Sequence, residues 1–165
     1  MTLPKGHFVS AIGLSIRNGM DMFNSILVVC VGNICRSPTG ERLLKKNLPE
    51  KKVISAGLGA LVGKPADVTA QEVASSHELS LEGHQGKQLT ATMCREFDLI
   101  LVMEKSHIEA VCRLAPEVRG KTMLFGHWIG QREIADPYRQ SREAFEFVYG
   151  LLDESAQKWA LALSR

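Results

Sequence analysis

Long apolar runs are missing from this chain. None approaches the roughly 18 residues that a membrane-spanning helix needs, so no membrane insertion is expected. A strong charge of either sign is missing too. The 20 basic and 18 acidic side chains leave a net charge of +2, which argues against a nucleic-acid partner and leaves room for a local basic site. Cysteines are few and unevenly spaced, at Cys30, Cys35, Cys94 and Cys112. That pattern does not resemble a secreted disulfide scaffold, and a reducing, cytoplasmic setting is the expected one. Cys30 and Cys35 have no second Cys/His pair at zinc-ligand spacing, so no metal site is expected. Beyond residue 22 there is no repeat, low-complexity tract or linker, and 165 residues suit one domain with a full core. Residues 1–21 stand apart. Phe8 to Ile16 is only mildly apolar and has no signal-peptide core or cleavage site. We expect residues 1–21 to be a poorly ordered or non-native extension and residues 22–165 to form the domain.

What is present alternates between two kinds of segment. Ile26–Val29, Lys52–Ser55, Leu99–Val102 (within Asp98–Met103) and Thr122–Phe125 read as short apolar strands. Between them, Pro38–Asn47, Val68–His77 and Glu104–Leu114 read as helices. Ser141–Leu163 reads as the longest helix, with Phe145, Val148, Leu152, Ser155 and Trp159 at helical spacing. Ser37 is a plausible cap and Pro38 suits a first helical position. Apolar strands separated by helices predict an α/β fold, a parallel sheet covered on both faces. Ligands bind such sheets beyond the carboxyl ends of the strands.

One loop sits at such an end. Val28-Val29-Cys30-Val31-Gly32-Asn33-Ile34-Cys35-Arg36-Ser37-Pro38 carries a strand into a tight turn and then into a helix. Loop amides and a helix N-terminus make an anion site. Cys30 supplies a nucleophile, because helix N-termini and cationic neighbours favour the thiolate. Arg36 offers paired donors for two phosphate oxygens. Gly32 lets the backbone approach the anion, Asn33 tolerates a left-handed conformation, and the Ser37 hydroxyl can donate to the sulfur. The pattern points to phosphoryl transfer through cysteine. A proton donor is then needed for the leaving group. Asp136, in Ile134-Ala135-Asp136-Pro137-Tyr138, is the best candidate: proline stiffens the loop, and Tyr138 can pack on an aromatic substrate. Asp67, Asp98 and Asp153 read as cap or surface residues. The Lys45, Lys46, Lys51 and Lys52 run reads as a solvated face.

From Phe23 to the C-terminus these residues resemble the low-molecular-weight protein tyrosine phosphatases. The Cys30–Pro38 loop and Asp136-Pro137-Tyr138 anchor the resemblance. Ser55–Leu61, Leu81–His84, Leu99–Glu104 and Arg119–Gly126 are similar to the bacterial capsule and exopolysaccharide branch, the Wzb/Etp-like enzymes. The resemblance implies a three-layer α/β/α sandwich with a four-stranded parallel sheet and no cofactor. It implies that Cys30 attacks phosphorus to form a cysteinyl-phosphate. Arg36 and the amides from Val31 to Arg36 would hold the oxygens, and Asp136 would serve as acid and then base. Asn33, Ser37, Ser55 and His84 match a hydrogen-bond network under the loop. Cys35 matches a cysteine that can trap oxidised Cys30 as a disulfide, although a small loop filler fits as well. Leu61 stands where the animal enzymes carry an aromatic wall, and Arg139 where they carry a second tyrosine. The implied partner is a phosphotyrosine protein, an autophosphorylating inner-membrane tyrosine kinase controlling polysaccharide export. A monomer is the default.

Three alternatives compete. Arsenate reduction on the same fold needs a later redox cysteine pair, which Cys94 and Cys112 are too far apart to supply. A phosphoarginine phosphatase would be expected to carry threonine where this loop has Ile34, whose apolar side chain suits a phenyl ring. A non-catalytic phosphotyrosine-binding module would be expected to lack the nucleophile or the acid.

Overall fold

The computed structural model describes residues 23–164; the expected extension over residues 1–21 lies outside the described residues, as do Met22 and Arg165. Strands β1 (Ser25–Cys30), β2 (Lys52–Gly57), β3 (Leu99–Val102) and β4 (Thr122–Leu124) form one sheet in the order β2-β1-β3-β4. Every pairing is parallel. Cys30 lies opposite Gly57, and Val29 lies opposite both Ala56 and Val102. The chain leaves β1 toward β2 on one side and reaches β3 on the other. The carboxyl ends of β1 and β3 therefore flank the switch point where α/β sheets bind ligands.

Strand alternation sorts the core. Ile26, Val28, Leu99 and Leu101 face helices α1 (Arg36–Asn47) and α5 (Arg142–Leu163), with α2 (Val68–Ser76) packed beside α5. Leu27, Val29, Ile100 and Val102 face the other layer. That layer holds the short α3 (Ala91–Glu96), α4 (Lys105–Leu114) and a 3-10 turn at Pro116–Lys121. Both faces are buried, which explains uninterrupted apolar strands. Trp159 of α5 is fully buried and donates its indole N–H to the Phe125 carbonyl at 2.9 Å. Burying one such ring is worth about 4–6 kcal/mol at ordinary transfer coefficients.

The local chemistry differs from the sequence expectation at several element ends. Helix α1 begins at Arg36, not Pro38, with Cys35 at its cap position and no side-chain cap. Ser37 does not cap because its hydroxyl turns inward toward Cys30 and Asn33. Pro38 still sits in the first turn, where its missing N–H costs nothing. The helix ends at Asn47 with Leu48 as its non-helical cap, since Pro49 disfavours helical backbone in the residue before it. Asp67, Thr90 and Ser141 cap α2, α3 and α5 through the amides three residues on. Asp98 accepts the amides of Asn24 and Ser25 at 2.8 and 3.1 Å, pinning the start of β1 to β3. Cys94 and Cys112 are both buried, Cys94 within the apolar cluster behind β1 and β3.

Candidate active site

The loop from Cys30 to Arg36 is held by its carbonyls. Those of Cys30, Val31 and Gly32 accept the amides of Leu58, Gly59 and Leu61 at 2.9, 2.9 and 3.0 Å. The Asn33 carbonyl accepts from His84 Nε2 at 2.6 Å, and the Ile34 carbonyl accepts the Asp67 amide at 2.8 Å. A trans peptide points its N–H opposite its C=O. Five carbonyls turned outward therefore turn the amides of Val31, Gly32, Asn33, Ile34 and Cys35 inward, over the N-terminus of α1. The result is a concave ring of donors suited to an anion. Gly57 permits this approach: a Cβ there would stand 2.5 Å from the Val31 carbonyl oxygen.

Beneath the ring, Asn33 takes the left-handed conformation, with φ of 58°. Its amide nitrogen donates to Ser37 Oγ at 2.8 Å and to Ser55 Oγ at 3.0 Å, and its Oδ1 accepts the Lys87 amide at 2.8 Å. Ser55 Oγ donates onward to Glu41 Oε1 at 2.7 Å. Ser37 Oγ lies 3.0 Å from Cys30 Sγ. Because the Ser37 oxygen already accepts from Asn33, its own proton is free to point at the sulfur. Burial pushes the His84 pKa below 6.5, so the ring is neutral and donates from Nε2. Asn33 and Ser37, although they belong to the anion-binding segment, brace it as the resemblance implied. Their side chains, like those of Ser55 and His84, lie under the loop and do not line the cleft.

Arg36 is 2% exposed. Its Nη1 donates to Glu104 Oε2 at 2.6 Å and to the Ile134 carbonyl at 2.8 Å. Nη2 lies 3.7 Å from Asp136 Oδ2, and the buried Nε has no hydrogen-bond partner. One side of the fork is anchored, while Nε and Nη2, the edge that suits two oxygens of one phosphate, remain for the cleft. Glu104 is itself held as the cap of α4. Its backbone N–H donates to His107 Nδ1 at 3.3 Å, and its side chain accepts the His107 amide. His107 has its pKa lowered by burial first and by Arg36 second, so it too is neutral.

The cleft over the ring brings together Cys30, Arg36 and Asp136, with Val31, Gly32, Ile34, Cys35, Leu61 and Tyr138 around them. Leu61, Val31 and Tyr138 are partly exposed and form its apolar rim. Asp136 Oδ1 accepts the Tyr138 amide at 3.1 Å, which fixes the carboxyl relative to the ring of Tyr138. Cys35 is buried, and desolvation, aided by Asp67 and Asp136, drives its pKa far up, so it stays a thiol. Sequence reasoning gave no role to Glu104, Glu41 or the Ile134 carbonyl. Glu104 did carry a signal, an acid two residues past the end of a strand at the switch point. Glu41 stands four residues after Ser37 on the same helix face. Among the described residues no group of three or more His, Cys, Asp or Glu is placed to hold a metal ion.

A parallel α/β sheet whose first strand ends in an amide-lined anion ring, with a thiol and an arginine inside it and a carboxyl at the rim, defines a phosphatase of phosphate monoesters. The family model of the low molecular weight phosphotyrosine protein phosphatases matches residues 25–165, and the chain belongs to that family. It is 69% identical over 144 residues to the probable low molecular weight protein-tyrosine-phosphatase AmsI of Erwinia amylovora, covering 87% of this chain and 100% of that protein. Identity to the low molecular weight protein-tyrosine-phosphatase Wzb of Escherichia coli K12 is 66% over 143 residues, 87% of this chain and 97% of Wzb. The AmsI crystal structure matches with a TM-score of 0.86 over 87% of this chain and 95% of that one. Vibrio vulnificus Wzb in complex with benzylphosphonate matches at 63% identity with a TM-score of 0.83, over 84% and 98% of the two chains. The protein is a low molecular weight protein-tyrosine phosphatase of the Wzb/Etp type. No helix among the described residues is long and apolar enough to cross a membrane.

Proposed function

We propose that the chain hydrolyses phosphotyrosine through a cysteinyl-phosphate, with residues 22–165 forming the catalytic domain. The substrate phosphate occupies the amide ring, two of its oxygens on Arg36 Nε and Nη2. Cys30 Sγ attacks phosphorus in line. The S–P bond forms as the P–O bond to the phenol breaks, and Asp136 gives its proton to the departing oxygen. In the second step Asp136 takes a proton from water, whose oxygen bonds to phosphorus as the S–P bond breaks. The Ser37 hydroxyl, 3.0 Å away, stabilises the departing sulfur. The phenyl ring packs between Ile34, Leu61 and Tyr138. The observation that carries this reading is the half-anchored Arg36 fork, whose Nε has no protein partner and whose Nη2 has only the 3.7 Å contact to Asp136, in the cleft that Cys30 also lines.

The substrate protein in this reading is an autophosphorylating bacterial tyrosine kinase governing capsule or exopolysaccharide production. Similarity to AmsI and Wzb supports it. The working compartment is the cytoplasm, where Cys30 stays reduced, and the enzyme acts as a monomer. The test is hydrolysis of para-nitrophenyl phosphate and a phosphotyrosine peptide with a chelator present. Cys30→Ser should abolish turnover yet keep phosphate affinity; a folded, reduced wild type without turnover refutes the reading. Asp136→Asn should slow esters of poor leaving groups far more than good ones, and equal slowing removes Asp136 from the acid role.

A further inference from the structure

Beyond the cleft, the turn that carries Asp136 and Tyr138 ends in a residue with no part in the chemistry above. Arg139 has φ of +64°. It is the third residue of a turn closed by the Gln140 amide donating to the Pro137 carbonyl at 2.8 Å, and Gln140 Nε2 donates to the Asp136 carbonyl at 3.1 Å. The third position of a turn with positive φ favours glycine or asparagine. Arginine has neither the freedom of the first nor the local hydrogen bonding of the second. Of the non-glycine residues with positive φ outside the anion loop, Arg139 is the one on the turn that borders the cleft, where such strain raises the question of what the side chain does.

The side chain has a place. Its guanidinium lies over the ring of Tyr138, 5.3 Å from the centroid, and Tyr138 is a wall of the cleft. Arg95, Arg119 and Arg142, also exposed, each reach a carboxylate of this chain at 3.1, 3.1 and 3.7 Å, and Arg132 stacks on Phe147 at 5.5 Å, away from the cleft. Among the described residues Arg139 forms no such ion pair. Stacking on the ring orients the cation and lowers the rotamer entropy lost when it meets an anion. Inside the cleft, Arg36 takes the phosphate and the apolar walls take the phenyl ring. What reaches Arg139 is the peptide immediately outside that ring.

We propose that Arg139 is a specificity-determining residue that binds an anionic group flanking the phosphotyrosine, a carboxylate or a second phosphate. This rests on the phosphotyrosine reading and deepens it: the preferred substrate carries clustered negative charge next to the scissile phosphate. A guanidinium suits either anion through paired N–H donors.

The test compares wild type, Arg139→Gln and Arg139→Asn on four substrates: para-nitrophenyl phosphate, a phosphotyrosine peptide with neutral flanks, the same peptide with flanking glutamates, and one with an adjacent second phosphotyrosine. Asparagine tolerates the left-handed backbone, so Arg139→Asn should melt no lower than wild type and separates loss of charge from loss of fold. Both variants should hydrolyse the first two substrates within twofold of wild type. On an anionic peptide kcat/KM should fall roughly three- to tenfold, the range of a partly exposed charge-assisted pair, and the gap should narrow as salt is raised. A loss on both anionic peptides assigns a general anion site, and a loss on the doubly phosphorylated peptide alone assigns a phosphate reader. Equal effects on all four substrates, or none on any, overturn the proposal. Wild-type failure on the neutral-flank peptide instead refutes the parent reading, and this one falls with it.

Discussion

Removing the Glu104 carboxylate tests whether Arg36 is aimed from behind. Arg36 Nη1 makes two bonds, to Glu104 Oε2 at 2.6 Å and to the Ile134 carbonyl at 2.8 Å, in a side chain that is 2% exposed. A charge-assisted hydrogen bond contributes about 1.5–3 kcal/mol, and breaking a fully buried ion pair costs about 3–5 kcal/mol. The upper range does not apply. Glu104 is 33% exposed, so water can reach the vacated position, and the Ile134 carbonyl still takes one Nη1 proton. We therefore expect Glu104→Ala to lose about 2 kcal/mol of stability, which for a domain of this size lowers Tm by roughly 6 °C. The kinetic loss comes separately, because a fork held on one bond can swing. Misplacement of an oxygen-binding group by a fraction of an ångström to one ångström costs about ten- to a hundredfold in kcat/KM.

Glu104→Gln keeps an acceptor oxygen at the same reach and removes only the charge. It should lose about 1 kcal/mol and less than tenfold in rate. The assay pairs thermal unfolding with steady-state hydrolysis of para-nitrophenyl phosphate, at a temperature where both variants are folded. Added inorganic phosphate should raise Tm less in Glu104→Ala than in wild type, since stabilisation follows ligand affinity. Wild-type kcat/KM in a destabilised Glu104→Ala would refute the positioning argument and leave Glu104 as a fold residue only. Wild-type values of both quantities would refute the energetic argument as well.

Gly57→Ala should cost about 1–3 kcal/mol and at least tenfold in kcat/KM, because its Cβ would meet the Val31 carbonyl at 2.5 Å and that oxygen cannot rotate away; unfolding and turnover measured together check it, and wild-type turnover would mean the anion ring tolerates displacement. Acid should destabilise the fold through its histidines. Burial holds His84, His107 and His127 below their ordinary 6.5, so above that pH folded and unfolded chains are both neutral at these sites. Below it the unfolded chain binds protons first, so stability is full above about pH 6.5 and is lost as pH falls through the lower folded values, by up to about 1.4 kcal/mol per histidine per pH unit. Denaturant titrations at pH 7.5 and 5.5 measure this, and a His84→Gln variant with an unchanged acid slope would remove His84 from the account.

The sheet was legible because its central strands β1 and β3 are apolar on both faces, in runs too short for a buried helix. Ile26–Val29 and Leu99–Val102 could hardly be anything else. Helix α3 was missed because six residues carry too little periodicity, and its Thr90 cap is visible only once the chain is folded. The start of α1 was misplaced for a more telling reason. Serine before proline is an ordinary helix cap, and local rules predicted one; Ser37 is instead turned inward by contacts to Cys30 and Asn33, and the helix begins two residues earlier. A local rule failed where the side chain had been taken for the site.

The same division runs through the site itself. Cys30, Arg36 and Asp136, the proposed nucleophile, anion clamp and acid, could be singled out in the sequence because each sits in a recognisable local motif, and they line one cleft. The groups that set their geometry are different in kind. They are the amides of Leu58, Gly59, Leu61 and Asp67, the carbonyl of Ile134, and the carboxylates of Glu41 and Glu104. A backbone amide has no letter in a sequence, and a carboxylate has one that serves many surfaces. What makes them functional is that five carbonyls of one loop are pulled outward at once, which forces the opposing amides inward. That arrangement belongs to the fold. It follows that substitutions outside the cleft, at Gly57 or Glu104, should damage catalysis while leaving each of Cys30, Arg36 and Asp136 in place.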